Sequence, residues 1–217
     1  MPVEKWVFQT REEWLQARKN HLGGSDASSC VGMNPYKDNV TLWEEKMGLI
    51  MPEDISGEAY VRYGIEAEAH LRALFALDYP EYQVLYDENN MFLNSDYPWM
   101  HASLDGELID QKGRHGILEI KTTTIQQGLQ MEKWNNRIPD NYYCQVLHYL
   151  AVTGYDFAVL KAHLRMEWPD ELKIVTRHYF IERAEVEEDI QHLIEAERGF
   201  WDCIESGIKP YLILPSI

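Results

Sequence analysis

The 217-residue sequence predicts an α+β protein, a mixed β-sheet flanked by helices, on three observations. Two segments of strand composition, 103–109 and 116–124, sit mid-chain with a turn between them. Helix-period segments lie on either side, most of them bounded by a cap or a glycine stop. No internal repeat, low-complexity linker or transmembrane-length apolar run interrupts this pattern, so residues 1–217 read as a single domain.

Thr10-Arg11-Glu12-Glu13 is a T-x-x-E capping box. It opens a short helix that carries Trp14 and Arg18 one turn apart on one face and stops near Gly23-Gly24. Ser25 and Asp26 suit the N-cap of a second short helix, 26–31, ahead of a turn at 32–36. A glycine pair feeding a helix N-terminus makes an anion seat, because free N–H groups and the helix dipole point at whatever sits there, and Arg18 could reach the same anion. Plain helix punctuation explains the same residues equally well.

A helix over 38–47 has Leu42, Trp43 and Met47 as apolar positions and Gly48 as its stop, and 51–57 is a surface loop. The helix over 58–77 presents Val61, Ile65, Leu71, Leu74 and Phe75, and it also carries Gly64, Glu66 and Glu68. One of these acids is a candidate metal ligand; the plain alternative is a solvated helix face. Strands over 82–86 and 91–94 precede the central hairpin and predict an antiparallel meander. The helix over 141–153 sets Tyr143, Leu147, Leu150 and Ala151 at helical spacing, with Gln145 on another face and Gly154 as C-cap. Strands over 157–164 and 175–181 follow. Val186, Ile190, Leu193, Ile194, Trp201 and Ile204 then form the stripe of a terminal helix ending at Gly207.

The hairpin carries the chemistry. With turn residues at 110–113, position 112 is the midpoint, so Asp105 and Glu119, seven residues to either side, face one another in a symmetric antiparallel register. Side chains alternate along a strand, which puts Lys121 beside Glu119 and turns Leu118 and Ile120 into a core. Two carboxylates so close repel unless something positive lies between them, and hard oxygen ligands suit Mg²⁺ or Mn²⁺. The lysine can orient or deprotonate a water or balance charge on a phosphoryl oxygen, which is the equipment of phosphodiester hydrolysis. A lone E-x-K triplet is also what an ordinary solvated strand face looks like, and the symmetric aspartate narrows that choice without closing it.

Composition bounds the reading. Hydrophobic and charged shares of 45% and 26% are ordinary for a globular protein. No basic, apolar and small-residue run opens the chain, and Cys30, Cys144 and Cys203 are isolated, which predicts a cytoplasmic protein without a zinc or iron–sulfur centre. The formal charge of −16 opposes general affinity for phosphate backbones. Acid-rich stretches such as 182–197 can face away from a locally basic channel.

With these residues laid out, the chain resembles the phage-type exonucleases of the YqaJ and lambda-exonuclease group, within the PD-(D/E)xK nuclease superfamily. The resemblance runs in the family's order through WLQARKNHLGGSDASSCVGMNPYK (14–37), YGIEAE (63–68), HASLDG, LEIKT and YYCQVLHYLAVTG (142–154). It implies a restriction-endonuclease-like core in one nuclease domain, with Asp105 and Glu119 as metal-binding acids and the Ile120 carbonyl as a further ligand. Lys121 then corresponds to the catalytic lysine and Glu68 to a helical acid that contacts metal through water. Arg18, Ser25, Ser103 and Gln145 match positions that grip a DNA 5′-phosphate. The superfamily's proline before the first acid is absent, and Leu104 stands there. The implied activity is Mg²⁺-dependent, with Mn²⁺ able to substitute: 5′→3′ digestion of double-stranded DNA ends to 5′-mononucleotides. This leaves a 3′ single strand for a single-strand annealing protein in phage or prophage recombination. The lambda enzyme is a ring-shaped trimer, so a homotrimer is one assembly that the resemblance offers here; Val61 and Tyr63 are candidates for a strand-separating wedge.

Two alternatives stay open on the sequence. A structure-selective or nicking endonuclease could use the same core, although the phosphate-gripping positions oppose it. A catalytically inactive prophage DNA-binding module could keep the fold, although it has no reason to keep Asp105, Glu119 and Lys121 together. A serine hydrolase is excluded by the absence of a G-x-S-x-G elbow.

Overall fold

The computed structural model describes residues 3–126, 128–168 and 171–214. In chain order the elements are β1 (Val3–Val7), α1 (Arg11–Arg18), β2 (Leu22–Gly23), α2 (Gly24–Cys30), α3 (Asn39–Lys46), α4 (Ala59–Asp78), β3 (Gln83–Leu85) and β4 (Asn90–Asn94). They continue with β5 (Met100–Ala102), β6 (Gly106–Ile109), β7 (His115–Ile125), α5 (Gly128–Glu132), α6 (Asp140–Thr153), β8 (Phe157–Trp168), β9 (Glu171–Glu182) and α7 (Glu187–Ser206).

The strands form two sheets, ordered β1-β4-β5-β2 and β3-β6-β7-β8-β9. β7 and β8 run parallel at the centre of the larger sheet, and α5 and α6 supply the crossover that a parallel pair requires. The hairpin keeps the predicted symmetry: Gly106 pairs with Leu118, Leu108 with Gly116 and Ile109 with His115. Its first strand is shorter than the predicted 103–109. Residues 100–102 pair with β4 in the smaller sheet, and 103–105 is the crossing from one sheet to the other.

The predicted meander does not form. β3 bonds to β6, whereas β4 lies between β1 and β5, so two strands adjacent in sequence belong to different sheets. The partner that draws β4 away is Val3–Val7, a strand the sequence pattern did not mark and whose side chains are mostly exposed. The capping box forms as predicted, with Thr10 accepting from Glu13 N and Glu13 accepting from Thr10 N. The helix nevertheless ends at Arg18, because Leu22 and Gly23 are pulled straight by parallel pairing with Met100 and His101. Gly23 is then the N-cap of α2, which starts at Gly24, two residues before the predicted start at 26. Gly154 and Gly207 close α6 and α7 at φ 67° and 68°, the left-handed conformation in which glycine carries no Cβ penalty.

Alternation along β7 divides its side chains between two cores. Leu118 and Ile120 pack with Leu71 and Phe75 of α4. Ile117 and Ile125 join the larger cluster with Val146, Leu147 and Leu150 of α6 and Ile190, Leu193 and Phe200 of α7. Of the predicted apolar positions on α4 only Leu71 and Phe75 are buried; Ile65 is 61% exposed, because the first half of that helix borders a cleft instead of a core.

His148 fastens this second core. Its Nδ1 donates to the Glu197 carboxylate at 2.9 Å and its Nε2 to the His101 carbonyl at 2.8 Å. Both nitrogens face acceptors, an arrangement that favours the protonated ring, and the contacts join α6, α7 and β5. Glu197 thus leaves the acid run that was expected to face outward; it is 0% exposed. Burial alone would lower the His148 pKa, but Glu197 and the His101 carbonyl more than offset it and raise the pKa. A histidine raised on folding adds stability that is complete below its ordinary value and lost as pH rises through the folded one. Glu197→Ala is expected to cost about 3–5 kcal/mol in urea unfolding at pH 6, the usual result of stranding one buried charge, with the loss shrinking as pH rises through the His148 titration.

Candidate active site

The crossing at 103–105 aims the first acid. Asn90, at the start of β4, clamps the Leu104 peptide from both sides: its Oδ1 accepts from Leu104 N at 2.8 Å and its Nδ2 donates to Leu104 O at 2.9 Å. Beyond that clamp the Asp105 carboxylate accepts from Ile120 N at 2.8 Å, which holds it across from Glu119 just outside the ladder. Arg72 on α4 donates to the Asp105 carbonyl at 2.6 Å and to Glu68 at 3.1 Å, so the helical acid is tied to the same corner. Gly64 lets α4 come this close, since a Cβ there would meet Thr122 Oγ1 at 3.0 Å.

Glu119 is not on a solvated strand face. It is 1% exposed, because α6 covers this side of β7. Its Oε1 accepts from Lys121 Nζ at 2.7 Å and from Gln145 Nε2 at 2.8 Å. Its Oε2 is buried with no hydrogen-bond partner. Burial first and the neighbouring Asp105 second push Glu119 up to about 8, and the same two causes push Glu68 up to about 7. Asp105 is raised by burial despite Lys121 and the Ile120 N–H. Burial pulls Lys121 down, but Glu119 and Asp105 outweigh it and hold the amine above its usual value, as a cation.

A carboxylate oxygen bare in a buried cluster of mutually repelling acids fits a hard divalent cation. Among the described residues no three His, Cys, Asp or Glu side chains are arranged to hold a metal together. The donors that the sequence resemblance offers, Asp105 and Glu119 with the Ile120 carbonyl, would leave the remaining positions to water, and Glu68 is engaged with Arg72.

These residues line a cleft of about 570 Å³. Arg18, Ser103 and Gln145 line it too, on the side where the Arg18 guanidinium stacks 4.2 Å from the Trp14 ring centroid and donates to His101. Trp14 Nε1 in turn lies 3.2 Å from Ser103 Oγ. Ser25 is exposed and is not part of this lining. The glycine pair beside it has a packing cause: a Cβ on Gly24 would lie 2.5 Å from the Tyr149 ring, and one on Gly23 2.7 Å from the His101 ring. The expected anion seat at the start of α2 is also already faced by a carboxylate, Asp26, which accepts from Gly23 N and is held by Lys46. Val61 lines the cleft, whereas Tyr63 is turned to His163. Sequence reading missed Asn90 and Arg72, whose roles depend on contacts 14 and 33 residues away that leave no local pattern.

The structure is similar to the alkaline exonuclease LHK-Exo of Laribacter hongkongensis, with a TM-score of 0.65 and 20% identity over 91% of this chain and 94% of that one. It is similar to the same enzyme in complex with dAMP at 0.64. A phage-related exonuclease from Haemophilus somnus 129PT aligns at 0.52 with 13% identity, covering 87% of this chain and 96% of that one. Mixed sheets flanked by helices thus have the fold of the lambda-exonuclease-type nucleases. Residues 13–156 match the YqaJ-like viral recombinase domain, and the chain belongs to that family. It is 30% identical over 210 residues to the protein YqaJ of Bacillus subtilis (strain 168), a match that covers 94% of this chain and 59% of that relative.

An acid whose pKa is raised on folding destabilises the fold progressively as pH climbs from its unfolded to its folded value. Glu119→Gln keeps the shape and an oxygen toward Lys121 but removes the buried charge. In metal-free buffer it is expected to raise the thermal midpoint at pH 8.5 by roughly 2–4 °C, the effect of about 1 kcal/mol in a chain of this size, and to leave the midpoint near pH 4.5 unchanged. Equal midpoints at both pH values would mean that the acid cluster stores no such strain.

Proposed function

We propose that the chain is a divalent-metal-dependent deoxyribonuclease, a 5′→3′ exonuclease on double-stranded DNA ends. It releases 5′-mononucleotides and leaves a 3′ single-stranded tail for an annealing partner. One observation carries this reading: Glu119 is gripped through one oxygen by Lys121 and Gln145 while its other oxygen is buried and bare beside Asp105. Membership of a recombinase family and likeness to exonucleases, one of them captured with a mononucleotide, support it.

In this reading Asp105 and Glu119 hold Mg²⁺ or Mn²⁺ together with the Ile120 carbonyl. The cation supplies Lewis acidity toward a phosphate oxygen and makes water more acidic. Lys121, kept protonated by its two carboxylate neighbours, offsets charge that builds on the phosphoryl group and orients the attacking water. Gln145 fixes the Glu119 carboxylate through one donor and reaches Tyr149 Oη at 3.0 Å with the same nitrogen, so it serves the acid before it serves a phosphate. Arg18, flattened on Trp14, is the cation that awaits a terminal 5′-phosphate, with Ser103 beside it. Glu68 and Arg72 brace the crossing from the other side.

The test is a digest of linear duplex, nicked circle and closed circle with Mg²⁺. Loss of linear DNA alone is the expected result; cutting of closed circles would select an endonuclease, and no reaction would favour a binding module. Asp105→Ala and Glu119→Ala should abolish cleavage and weaken metal binding by calorimetry, whereas Lys121→Ala should keep the metal and lose the rate. Because burial and Asp105 push Glu119 up to about 8, a divalent cation held there would compete with a proton at pH 7, and its affinity is expected to rise between pH 6 and pH 8.5.

A further inference from the structure

A second cavity of about 370 Å³ opens beside the cleft and shares Tyr142 with it. Its floor is Thr123 and Thr124 of β7, two and three residues beyond Lys121, or roughly 7–10 Å along the same strand. Its charged lining is Lys133 and Arg137 against one carboxylate, Asp140, in a protein of net charge −16. Among the described residues neither Lys133 nor Arg137 forms an ion pair, whereas nine of the other eighteen bases are held by acids.

The walls are built. Trp134, between the two bases, is 2% exposed, and its carbonyl accepts from Arg177 and from Tyr179 of β9. The loop after α2 also lines the cavity, and in it Asn34 Oδ1 accepts from Tyr36 N and Lys37 N while Asn34 Nδ2 donates to Ser29 Oγ. That loop presents Tyr36 with 86% of its surface exposed. An aromatic ring held out by a braced loop, in the same cavity as unpaired cations and beside the candidate active site, has the chemistry of a nucleotide track: cations for the backbone, a ring face for a base.

We propose that this groove holds the DNA strand on the far side of the scissile phosphate, with Lys133 and Arg137 taking successive backbone phosphates and Tyr36 lying against a base. The inference rests on the nuclease reading of the first cleft and adds where the substrate runs. It gives the acidic chain a local phosphate path that its net charge does not predict, and it assigns a role to the turn at 32–36 that the site itself does not use.

The experiment measures binding of a fluorescent, 5′-phosphorylated duplex with a 3′ overhang to the full chain in EDTA, by anisotropy across a salt series. Lys133→Ala/Arg137→Ala is expected to lower the slope of log affinity against log salt by roughly 2, one for each phosphate released. Tyr36→Ala should weaken binding roughly tenfold, and Tyr36→Phe should restore it, because the ring face is kept. The control Lys112→Ala/Lys209→Ala makes the same change of net charge elsewhere and should leave the slope alone. All these side chains are exposed, so loss of folding does not confuse the readout. A slope unchanged in the groove variant, or changed equally in the control, would overturn the track. If the wild type binds but never cleaves with Mg²⁺, the nuclease reading fails while the groove stands on its slope; if it binds no duplex at all, both fail.

Discussion

The Leu104 peptide is the point on which both sheets depend. The chain leaves the smaller sheet at Ala102 and enters the larger one at Gly106, and a crossing of this kind leaves buried N–H and C=O groups without a ladder to satisfy them. Asn90 answers both groups of Leu104 with one amide, and its second amide hydrogen reaches the Asp87 carbonyl. The strand that carries Asn90 is itself bonded to β1 and β5. The position of Asp105 is therefore inherited from the smaller sheet, whereas Glu119 and Lys121 belong to the larger. The site exists where the two are locked in register, and an aspartate on a free loop at the same sequence position would have no reason to face Glu119.

What is locked there is electrostatically unfavourable by itself. Burial raises the pKa values of all three carboxyl groups, the charge of Asp105 adds to it for Glu119 and Glu68, and the cation that compensates them, Lys121, spends itself on one oxygen of Glu119. The surrounding fold supplies the stability that holds the cluster together: α4 against Leu118 and Ile120 on one face, α6 and α7 against Ile117 and Ile125 on the other. This division of labour follows from strand alternation. A twofold period sends neighbouring residues of LEIK into opposite layers, so each acid or base is flanked by side chains that anchor the strand.

Alternation and turn chemistry are local, and that is why they were legible. Position 112 as the hairpin midpoint, the Thr10 box and the glycine stops at 154 and 207 all come from contacts within a few residues. The partition of strands was not legible, because β4 prefers Val3–Val7, some ninety residues away, to its sequence neighbour β3. The Gly23-Gly24 pair fits an anion seat and plain helix punctuation equally well in sequence, and the packing reason for it, room for His101 and Tyr149 from distant elements, leaves no local mark. Glu197 looked like one more acid of a solvated helix until α6 brought His148 against it. In each case the deciding partner is remote in the chain, and no periodicity records it.

The same distinction between sum and location governs how so acidic a chain could handle a polyanion. Charges separated by more than about 8–10 Å in physiological salt are largely screened, so a phosphate responds to the groups around it and hardly to the total. Lys5 bridges Asp87 and Glu107, Arg114 bridges Asp110 and Glu182, and Arg198 serves Asp202 and Glu205, which neutralises acids away from the clefts. Arg11, Arg18, Lys133 and Arg137 are kept at the cavity walls instead, outside every ion pair among the described residues. Many of the remaining acids then repel phosphate wherever it is not in a cavity. Under that arrangement a low general affinity for nucleic acid and a defined path for one strand are consequences of the same charge distribution.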